Sequence, residues 1–275
     1  MPRRRGQAAV LSLLVAVSAA RADTAKPALP QRIASLVGTY EAASRAIVGL
    51  CVVDLRTGRP LAAARPDEQR TPASNQKLLT GAAALAKLGG SFKFTTAVCL
   101  SGKDIVLLGD GDPMLGDPRR AAANGQSIYH HVDLWAAAIR RKAGAKLAGD
   151  ILVVRRVKAF RHPDWSKSQY VNDYCAPVAS LNFHNNCYDV TFRVAGGAAR
   201  AVVVPQSRFI RVVGKLAPGK SHLWSLRSTT DESSVTIRGT VRPTSDPYSA
   251  PVSNPPLLLG RILADRIETL PAAAS

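Results

Sequence analysis

The chain has 275 residues, of which 46% are hydrophobic, and it carries 37 lysines and arginines against 19 aspartates and glutamates. This length allows one large domain or two modest ones with a sizeable core, and the composition excludes an intrinsically disordered chain. The formal charge of +18 would suit a nucleic-acid binder. However, the basic residues are scattered and form no finger, basic zipper or aromatic-basic strand motif, so we predict no nucleic-acid partner. A solvated basic surface is the preferred explanation of the charge, and peripheral contact with anionic envelope polymers or lipid head groups is the alternative.

The first 22 residues are typical of an export signal. They combine a basic start at Arg3–Arg5, an apolar run of about 13 residues, and a small-x-small end at residues 20–22. Cleavage there would release a mature chain that begins near Asp23, in the periplasm or another extracytoplasmic compartment. An uncleaved N-terminal anchor is the alternative, although a membrane span needs about 20 apolar residues.

The next segment predicts a short helix followed by a β-hairpin. An amphipathic helix is expected over residues 31–44. Residues 46–63 form a β-rich run, a turn at Arg56-Thr57-Gly58 and a second strand.

A second helix is predicted to start with Thr71 as N-cap and Pro72 at its first position. It would end at the glycine pair 89–90. When residues are placed at 100° per step, Ser74 and Lys77 fall on one stripe together with Leu78, Gly81, Leu85 and Leu88. A lysine on an otherwise apolar stripe needs an explanation.

From about residue 92 to residue 245 the sequence predicts a β-rich domain or insertion. Short alternating runs are separated by glycine, proline and asparagine, and one helix interrupts them at residues 131–144. The runs are KFTTAVCL (93–100), KDIVLLG (103–109), DILVVRR (150–156), YDVTFRV (188–194), RAVVVP (200–205), FIRVVG (209–214) and SSVTIRG (233–239). A final helix, opened by proline, is predicted at residues 254–270.

The cysteines and the acidic residues do not form a recognisable metal or cofactor site. Four cysteines in an oxidising compartment allow three disulfide pairings, and the short intervening loop favours Cys175–Cys187. No C-x-x-C motif or histidine pair at ligand spacing occurs. The acidic run GDGDP (109–113) resembles a calcium loop but lacks the downstream glutamate, so it is interpreted as a turn after a strand. We predict no metal and no cofactor.

Ser74 and Lys77 are the candidate catalytic residues. Their i, i+3 spacing places both side chains on one face of the first helical turn. The unpaired N–H groups and the dipole at the helix start favour a developing oxyanion. Burial on the apolar stripe would lower the pKa of the lysine amine, and a neutral amine can activate a serine nucleophile without a histidine. The alternative is a chance match, with Ser74 acting only as a helix cap.

The stretch RTPASNQKLLTGAAALAKLG (70–89), preceded by a hairpin, resembles the start of the catalytic domain of penicillin-binding proteins and serine β-lactamases, which carry Ser-x-x-Lys. The order of FKFTTAV (92–98), LLGDGDPML (107–115), YCAPVASLNFHNNCYDV (174–190) and DPYSAPVSNPPLLLGRILADRIETL (246–270) narrows the resemblance. These segments are similar to the D-alanyl-D-alanine carboxypeptidase/endopeptidase family, the class C penicillin-binding proteins. The resemblance covers most of residues 31–275.

This resemblance implies an α/β (α+β) fold, part of a transpeptidase-like sheet-and-helix domain with a long β-rich insertion. After the export signal at 1–22, which rests on its own sequence pattern, the resemblance implies the N-terminal part of the transpeptidase-like domain at 23–91, the insertion at 92–245 and a return helix toward that domain at 246–275. It also implies cleavage of peptidoglycan stem peptides through an acyl-enzyme, with β-lactams as acylating ligands, and gives Ser74 the role of nucleophile and Lys77 that of base.

The chain departs from the family at two further motifs, Ser-x-Asn and Lys-Thr-Gly. Ser180-Leu181-Asn182 has the letters of the first, but its context matches a segment inside the insertion. Arg56-Thr57-Gly58 precedes the serine and reads as a turn, and Lys142-Ala143-Gly144 reads as a helix end. We therefore expect a C-terminally truncated member with weak or no turnover.

Two other functions stay open from the sequence. A non-catalytic envelope protein could bind cell-wall polymer through its basic surface and β-rich insertion. A class A β-lactamase shares Ser-x-x-Lys, but the long insertion argues against it.

Overall fold

The structure is a computed structural model that describes residues 27–144, 149–157 and 159–270. The predicted export signal and its cleavage site lie outside these residues. The chain divides into two compact units, Met1–Gly89 and Gly90–Ser275, which we describe separately. Among the described residues, no helix is both long and apolar enough to cross a membrane.

The N-terminal unit consists of a helix, a hairpin and a second helix. Its elements are α1 (Leu29–Ser44), β1 (Leu50–Val53), β2 (Pro60–Ala64) and α2 (Gln76–Leu88). The strands pair antiparallel with Leu50 opposite Ala64. The carboxylate of Glu41 in α1 accepts from the backbone N–H of Val48 at 2.7 Å and from the guanidinium of Arg65, and the pKa of Glu41 is lowered by these bonds. These contacts hold α1 against the hairpin.

The predicted turn between β1 and β2 is confirmed. The backbone N–H of Gly58 donates to the carbonyl of Asp54 at 2.7 Å, and Asp54 also accepts from the N–H of Arg56 through its side chain at 2.8 Å. Gly58 has φ +70°, a left-handed conformation that glycine adopts without a Cβ penalty. Arg56-Thr57-Gly58 is thus used by the hairpin.

The described part of the second unit has nine strands and three α-helices. They are β3 (Thr96–Ser101), β4 (Asp104–Gly109), α3 (Pro118–Ala123), α4 (His130–Ala143), β5 (Ile151–Val154), β6 (Cys187–Ala195), β7 (Ala198–Val204), β8 (Arg211–Pro218), β9 (Leu223–Ser228), β10 (Ser234–Val241), β11 (Tyr248–Pro251) and α5 (Pro255–Thr269). The three sheets have the strand orders β3-β4-β5, β11-β6-β7 and β8-β10-β9. All seven predicted strand runs and both predicted helices of this region are found.

Two strands and one helix of this unit were missed by the sequence analysis. They are β9, β11 and the six-residue α3, whose first turn is capped by Asp117 accepting from the backbone N–H of Arg120 at 2.7 Å. Both missed strands lie at the edge of a three-stranded sheet. Each is paired on one side alone, β9 with β10 and β11 with β6.

The hydrophobic core of the second unit joins its sheets to α5. Tyr188, Val190 and Phe192 of β6 are fully buried, as are Val235 and Ile237 of β10. In α5 the buried apolar residues recur at helical spacing and contact α4 and β5; they are Leu258, Leu259, Ile262, Leu263 and Ile267.

The start of α5 is specified by its own sequence. The side chain of Asn254 caps the helix by accepting from the backbone N–H of Leu257, and two prolines occupy the first helical positions. The guanidinium of Arg140 in α4 donates to the carbonyl of Ile267 at 2.7 Å near the other end. The assignment of 246–275 to the transpeptidase-like domain stays a prediction.

The favoured disulfide is not found. All four cysteines are free thiols, with Cys51 and Cys99 exposed and Cys175 and Cys187 buried. Burial raises the pKa of the Cys187 thiol to about 12, with smaller contributions from Asp173 and Asp189. Cys187 therefore behaves as a small core side chain, which is common for buried cysteines.

Candidate active site

Ser74 lies in a single 3-10 turn, Ala73–Asn75, directly before α2. The backbone N–H of Asn75 donates to the carbonyl of Pro72 at 2.9 Å, and the N–H of Gln76 donates to Ala73 and Ser74. The predicted N-terminus was therefore placed too early, because the α-helix begins at Gln76. Neither helical segment has a side-chain cap, so the predicted N-cap role of Thr71 is wrong.

The structure brings the two candidate catalytic residues together. The Nζ atom of Lys77 donates to Ser74 Oγ at 3.4 Å. Residues three apart lie on the same face of a helical turn, and Ser74 and Lys77 span the junction between the 3-10 turn and α2. The contact is long for a hydrogen bond, as catalytic contacts often are before substrate binds.

Lys77 is exposed, and α2 contains no buried residue. The predicted apolar stripe exists, but its leucines face solvent, with Leu78 at 74% and Leu85 at 61% exposure. The expected burial of Lys77 is therefore wrong for this structure. The physical reason is that the main contact of α2 within its unit is with the turn before it, and no second layer covers the stripe there.

A backbone feature at this site was missed by the sequence analysis. Ala73 has φ +45°, a left-handed conformation that costs an alanine roughly 1–2 kcal/mol. Such residues cluster at functional sites, where the surrounding structure holds them in place. Glycine, asparagine or aspartate would have signalled this conformation in the sequence, whereas alanine gives no signal. The strained residue directly precedes the candidate nucleophile and turns the chain into the Ser74 position.

The other candidate motifs have structural roles. Asn182 is buried and its amide accepts from the N–H of Ala179 at 3.2 Å and donates to the carbonyl of Asp112 at 3.2 Å. Ser180 is buried beside it. Lys142-Ala143-Gly144 ends α4, with Gly144 at φ +86°. The helix end at residues 142–144 is as predicted from the sequence.

The acidic run at 109–113 follows β4 as a turn, as predicted. The side chains of Asp110 and Asp112 accept from the backbone N–H groups of Thr95 and Met114, each at 2.8 Å. No group of three or more potential metal ligands occurs among the residues that the structure describes. The two carboxylates are thus used for turn hydrogen bonds.

Comparison with curated proteins gives two carboxypeptidases. A D-alanyl-D-alanine carboxypeptidase of Actinomadura sp. is 42% identical over 78 residues, which cover 26% of this chain and 14% of the relative. A carboxypeptidase of Mycobacterium tuberculosis is 37% identical over 84 residues, which cover 29% of this chain and 17% of the relative. The chain thus matches a small part of each relative's length.

Comparison with solved structures gives penicillin-binding protein 4 of Haemophilus influenzae. One crystal structure matches with a TM-score of 0.58 and 20% identity, covering 81% of this chain and 50% of that chain. A second, in complex with a β-lactam, matches with a TM-score of 0.51 and 19% identity, covering 81% and 49%. The chain spans about half the length of these structures. The predicted mixed helix-and-sheet fold of the penicillin-binding type is confirmed.

A model of the D-Ala-D-Ala carboxypeptidase 3 (S13) family matches residues 29–270, which is most of the chain. This match agrees with the family resemblance stated from the sequence segments and with the fold. The chain therefore belongs to the D-Ala-D-Ala carboxypeptidase 3 (S13) family.

Proposed function

We propose that this chain supplies the nucleophile and the base of a serine-type D-Ala-D-Ala carboxypeptidase or endopeptidase acting on peptidoglycan stem peptides. The observation that carries the proposal is the 3.4 Å contact between Lys77 Nζ and Ser74 Oγ at the start of α2. Membership of the S13 family gives the reaction class that this pair would serve.

In the proposed reaction, Ser74 Oγ attacks the carbonyl carbon of the penultimate D-alanine, and the hydroxyl proton passes to a neutral Lys77 amine. N–H groups at the start of α2 would stabilise the negative oxygen of the tetrahedral intermediate. The intermediate expels the terminal D-alanine as its C–N bond breaks, and the leaving amine takes the proton that Lys77 had accepted. Water then attacks the acyl-enzyme and releases the shortened peptide, which regenerates the serine.

We expect slow turnover from this chain. The family's Ser-x-Asn motif would relay the proton to the leaving amine, a step worth about 10²–10⁴-fold. Its Lys-Thr-Gly strand would supply the second oxyanion donor, worth roughly 10²–10³-fold. Neither motif stands in its family context here.

The proposal extends to location and partners. The tripartite N-terminus supports export, and the excess of basic residues supports peripheral contact with anionic envelope polymers. β-Lactams are proposed as acylating ligands of Ser74, supported by the β-lactam complex of the penicillin-binding protein 4 structure. We also propose that residues 92–245 are an insertion and that 246–275 return to the transpeptidase-like domain.

The test is acylation by a fluorescent penicillin, with the modified residue located by mass spectrometry. We expect a slow adduct on Ser74 that is lost in Ser74→Ala and strongly reduced in Lys77→Ala. The matched controls are Ser44→Ala, which removes an exposed hydroxyl bonded to the carbonyl of Tyr40, and Lys87→Ala, which removes the other lysine of α2. Both controls should label like the unmodified chain.

A non-catalytic envelope protein is the second candidate, and the exposure of Lys77 is the observation that favours it. If the folded chain gives no Ser74 adduct after prolonged incubation, or if Lys87→Ala slows labelling as much as Lys77→Ala, the catalytic proposal is wrong. Binding of isolated peptidoglycan by the same preparation would then support the second candidate.

A further inference from the structure

The second unit contains a groove of about 900 Å³ with a basic and aromatic lining. It runs along two strands that each lie at a sheet edge, β9 and β11. Its volume lies within the range of about 300–1,000 Å³ that is typical of ligand sites. The proposed reaction at Ser74 does not use this groove.

The charge of the groove is strongly positive. Four cationic side chains line it, against the single carboxylate of Asp173; the cations are Arg119, Arg161, Lys167 and Arg227. Within the described ranges, none of the four forms an ion pair with a carboxylate. Their charges are therefore available to a ligand, and a concave surface of one sign raises the local concentration of oppositely charged molecules.

One of these cations is held in a fixed orientation. The Nε atom of Arg161 donates to the carbonyl of Cys175 at 2.7 Å, and the guanidinium lies 4.7 Å from the centre of the Tyr170 ring. The remaining guanidinium N–H groups can bond a carboxylate or phosphate in a bidentate manner, and little side-chain entropy is lost because the fork is already placed.

The lining also contains aromatic side chains. Tyr248 is 42% exposed, and its ring lies 5.8 Å from that of Trp224 and 5.0 Å from that of His222. Aromatic faces of this kind offer apolar area to the C–H face of a sugar ring while their polar atoms stay in contact with water. The lining thus combines anion-binding groups with a stacking surface.

An added peptide strand is disfavoured because β9 and β11 are already bridged at both ends. The hydroxyl of Ser253 donates to the carbonyl of Ser228 at 3.2 Å, and the N–H of Ser253 donates to the Ser228 hydroxyl at 3.0 Å. The Trp224–Tyr248 contact joins the other ends. A strand inserted between them would need about 4.8 Å of separation on each side.

We propose that this groove binds an anionic glycan, that is, a chain of sugar rings bearing carboxylate or phosphate groups. The inference rests on the proposed contact with anionic envelope polymers and assigns that contact to one site. Guanidinium and ammonium groups bind the acidic substituents, and Tyr248 stacks on a sugar ring.

Binding is measured with the full chain against polygalacturonate, a phosphorylated dextran and uncharged dextran. We expect at least one charged glycan to bind and uncharged dextran not to bind, and the stronger of the two charged probes identifies carboxylate or phosphate as the preferred group. The variant Lys167→Gln/Arg227→Gln should weaken binding by about tenfold or more, since it removes two charge-assisted contacts. Tyr248→Ala should weaken it further.

The matched control is Arg193→Gln/Lys215→Gln, which removes the same charge from exposed positions on β6 and β8 outside the groove lining. Thermal melts of each variant verify folding. If the control variant weakens glycan binding as much as the groove variant does, the total charge of the chain binds the polymer and the proposed groove site is wrong. The proposal is also wrong if polyglutamate or DNA binds as tightly as the glycans, or if Tyr248→Ala does not change glycan binding.

Acylation of Ser74 by a fluorescent penicillin is followed in the same variants. The groove variants should label like the unmodified chain, so a loss of glycan binding and a loss of acylation are separate results. If neither charged glycan binds the unmodified chain, both the groove and the proposed polymer contact are wrong, while the proposed chemistry at Ser74 is unaffected.

Discussion

Glu232 is a fully buried carboxyl group that ties three elements of the second unit together. One of its oxygens accepts from the N–H groups of Ser253 and Asn254 at 2.6 and 2.7 Å and from the Ser228 hydroxyl at 2.9 Å. The other oxygen accepts from the hydroxyl of Tyr188 at 2.8 Å. The group therefore joins the β9–β10 turn to β6 and to the start of α5.

Burial raises the pKa of Glu232 above its ordinary value of 4.5, although its four hydrogen bonds act in the opposite direction. The folded chain thus holds this proton more tightly than the unfolded chain does. The group's contribution to stability is fully present below pH 4.5 and is lost as the pH rises through the folded-state pKa. Desolvation of the carboxylate raises the pKa of Glu232 more than its hydrogen bonds lower it.

We expect Glu232→Ala to destabilise the second unit by about 2–6 kcal/mol. The change leaves the Tyr188 hydroxyl and the Asn254 N–H without partners, at a cost of about 1–3 kcal/mol each before relaxation, whereas the Ser253 N–H keeps its bond to the Ser228 hydroxyl. Glu232→Gln keeps the oxygen that accepts three bonds and removes the charge. It should therefore be close to the unmodified chain near pH 4 and become relatively more stable as the pH rises toward 8.

Urea unfolding followed by tryptophan fluorescence measures these differences, because all three tryptophans belong to the second unit. Asp164→Asn is the matched control, since the side chain of Asp164 is 88% exposed. The reasoning is refuted if the stability difference between Glu232→Gln and the unmodified chain is the same across this pH range, or if Asp164→Asn shows the same pH trend.

Three further predictions concern packing, thiol reactivity and solubility. Gly239→Ala should lower the free energy of unfolding by several kcal/mol, because Gly239 has φ +137° and a Cβ there would lie 2.2 Å from the carbonyl oxygen of Leu223. Gly214→Ala is the matched control, since Gly214 has open space around it, and its free energy of unfolding in the same urea titrations should lie within about 1 kcal/mol of that of the unmodified chain. A thiol reagent should modify the exposed Cys99 in the native chain. It should modify Cys187, whose pKa is raised to about 12, only after unfolding. Detection of modified Cys187 in the native chain by mass spectrometry would contradict this. Leu85→Gln should raise the concentration at which the chain aggregates, measured by light scattering, because the leucine side chain is 61% exposed. Its melting temperature should stay within about a degree or two of that of the unmodified chain, and a large drop would show that the leucine is covered.

The sequence predicted elements best where two local signals agree. For α5, an asparagine cap with two prolines coincides with apolar residues at helical spacing, and both signals describe the observed helix. For β11, prolines at 247 and 251 bracket a run of three residues, which is a loop pattern by composition. It is a strand because it pairs with β6, with Pro251 opposite Cys187 at the edge of the sheet. The pairing of β11 with β6 cannot be predicted from the local sequence of β11.

The candidate site divides in the same way. The spacing of Ser74 and Lys77 is a local property, and it correctly predicted that their side chains meet. The left-handed Ala73 and the 3-10 turn were not predictable, since alanine favours helix and proline at 72 is an ordinary helix start. The backbone there is set by interactions that residue type does not encode.

The burial of Lys77 failed for a different physical reason. Periodicity shows which face of a helix is apolar, but it does not show which segment covers that face. The leucines of α2 form the predicted stripe and are exposed, so contacts within the N-terminal unit do not bury Lys77. The spacing of Ser74 and Lys77 places the reacting atoms, whereas the burial of the lysine depends on a segment that covers the stripe. The geometry of the Ser74–Lys77 pair and its reactivity therefore have separate origins. If the rate of Ser74 acylation depends on Lys77, that rate measures the reactivity of the pair as well as its geometry.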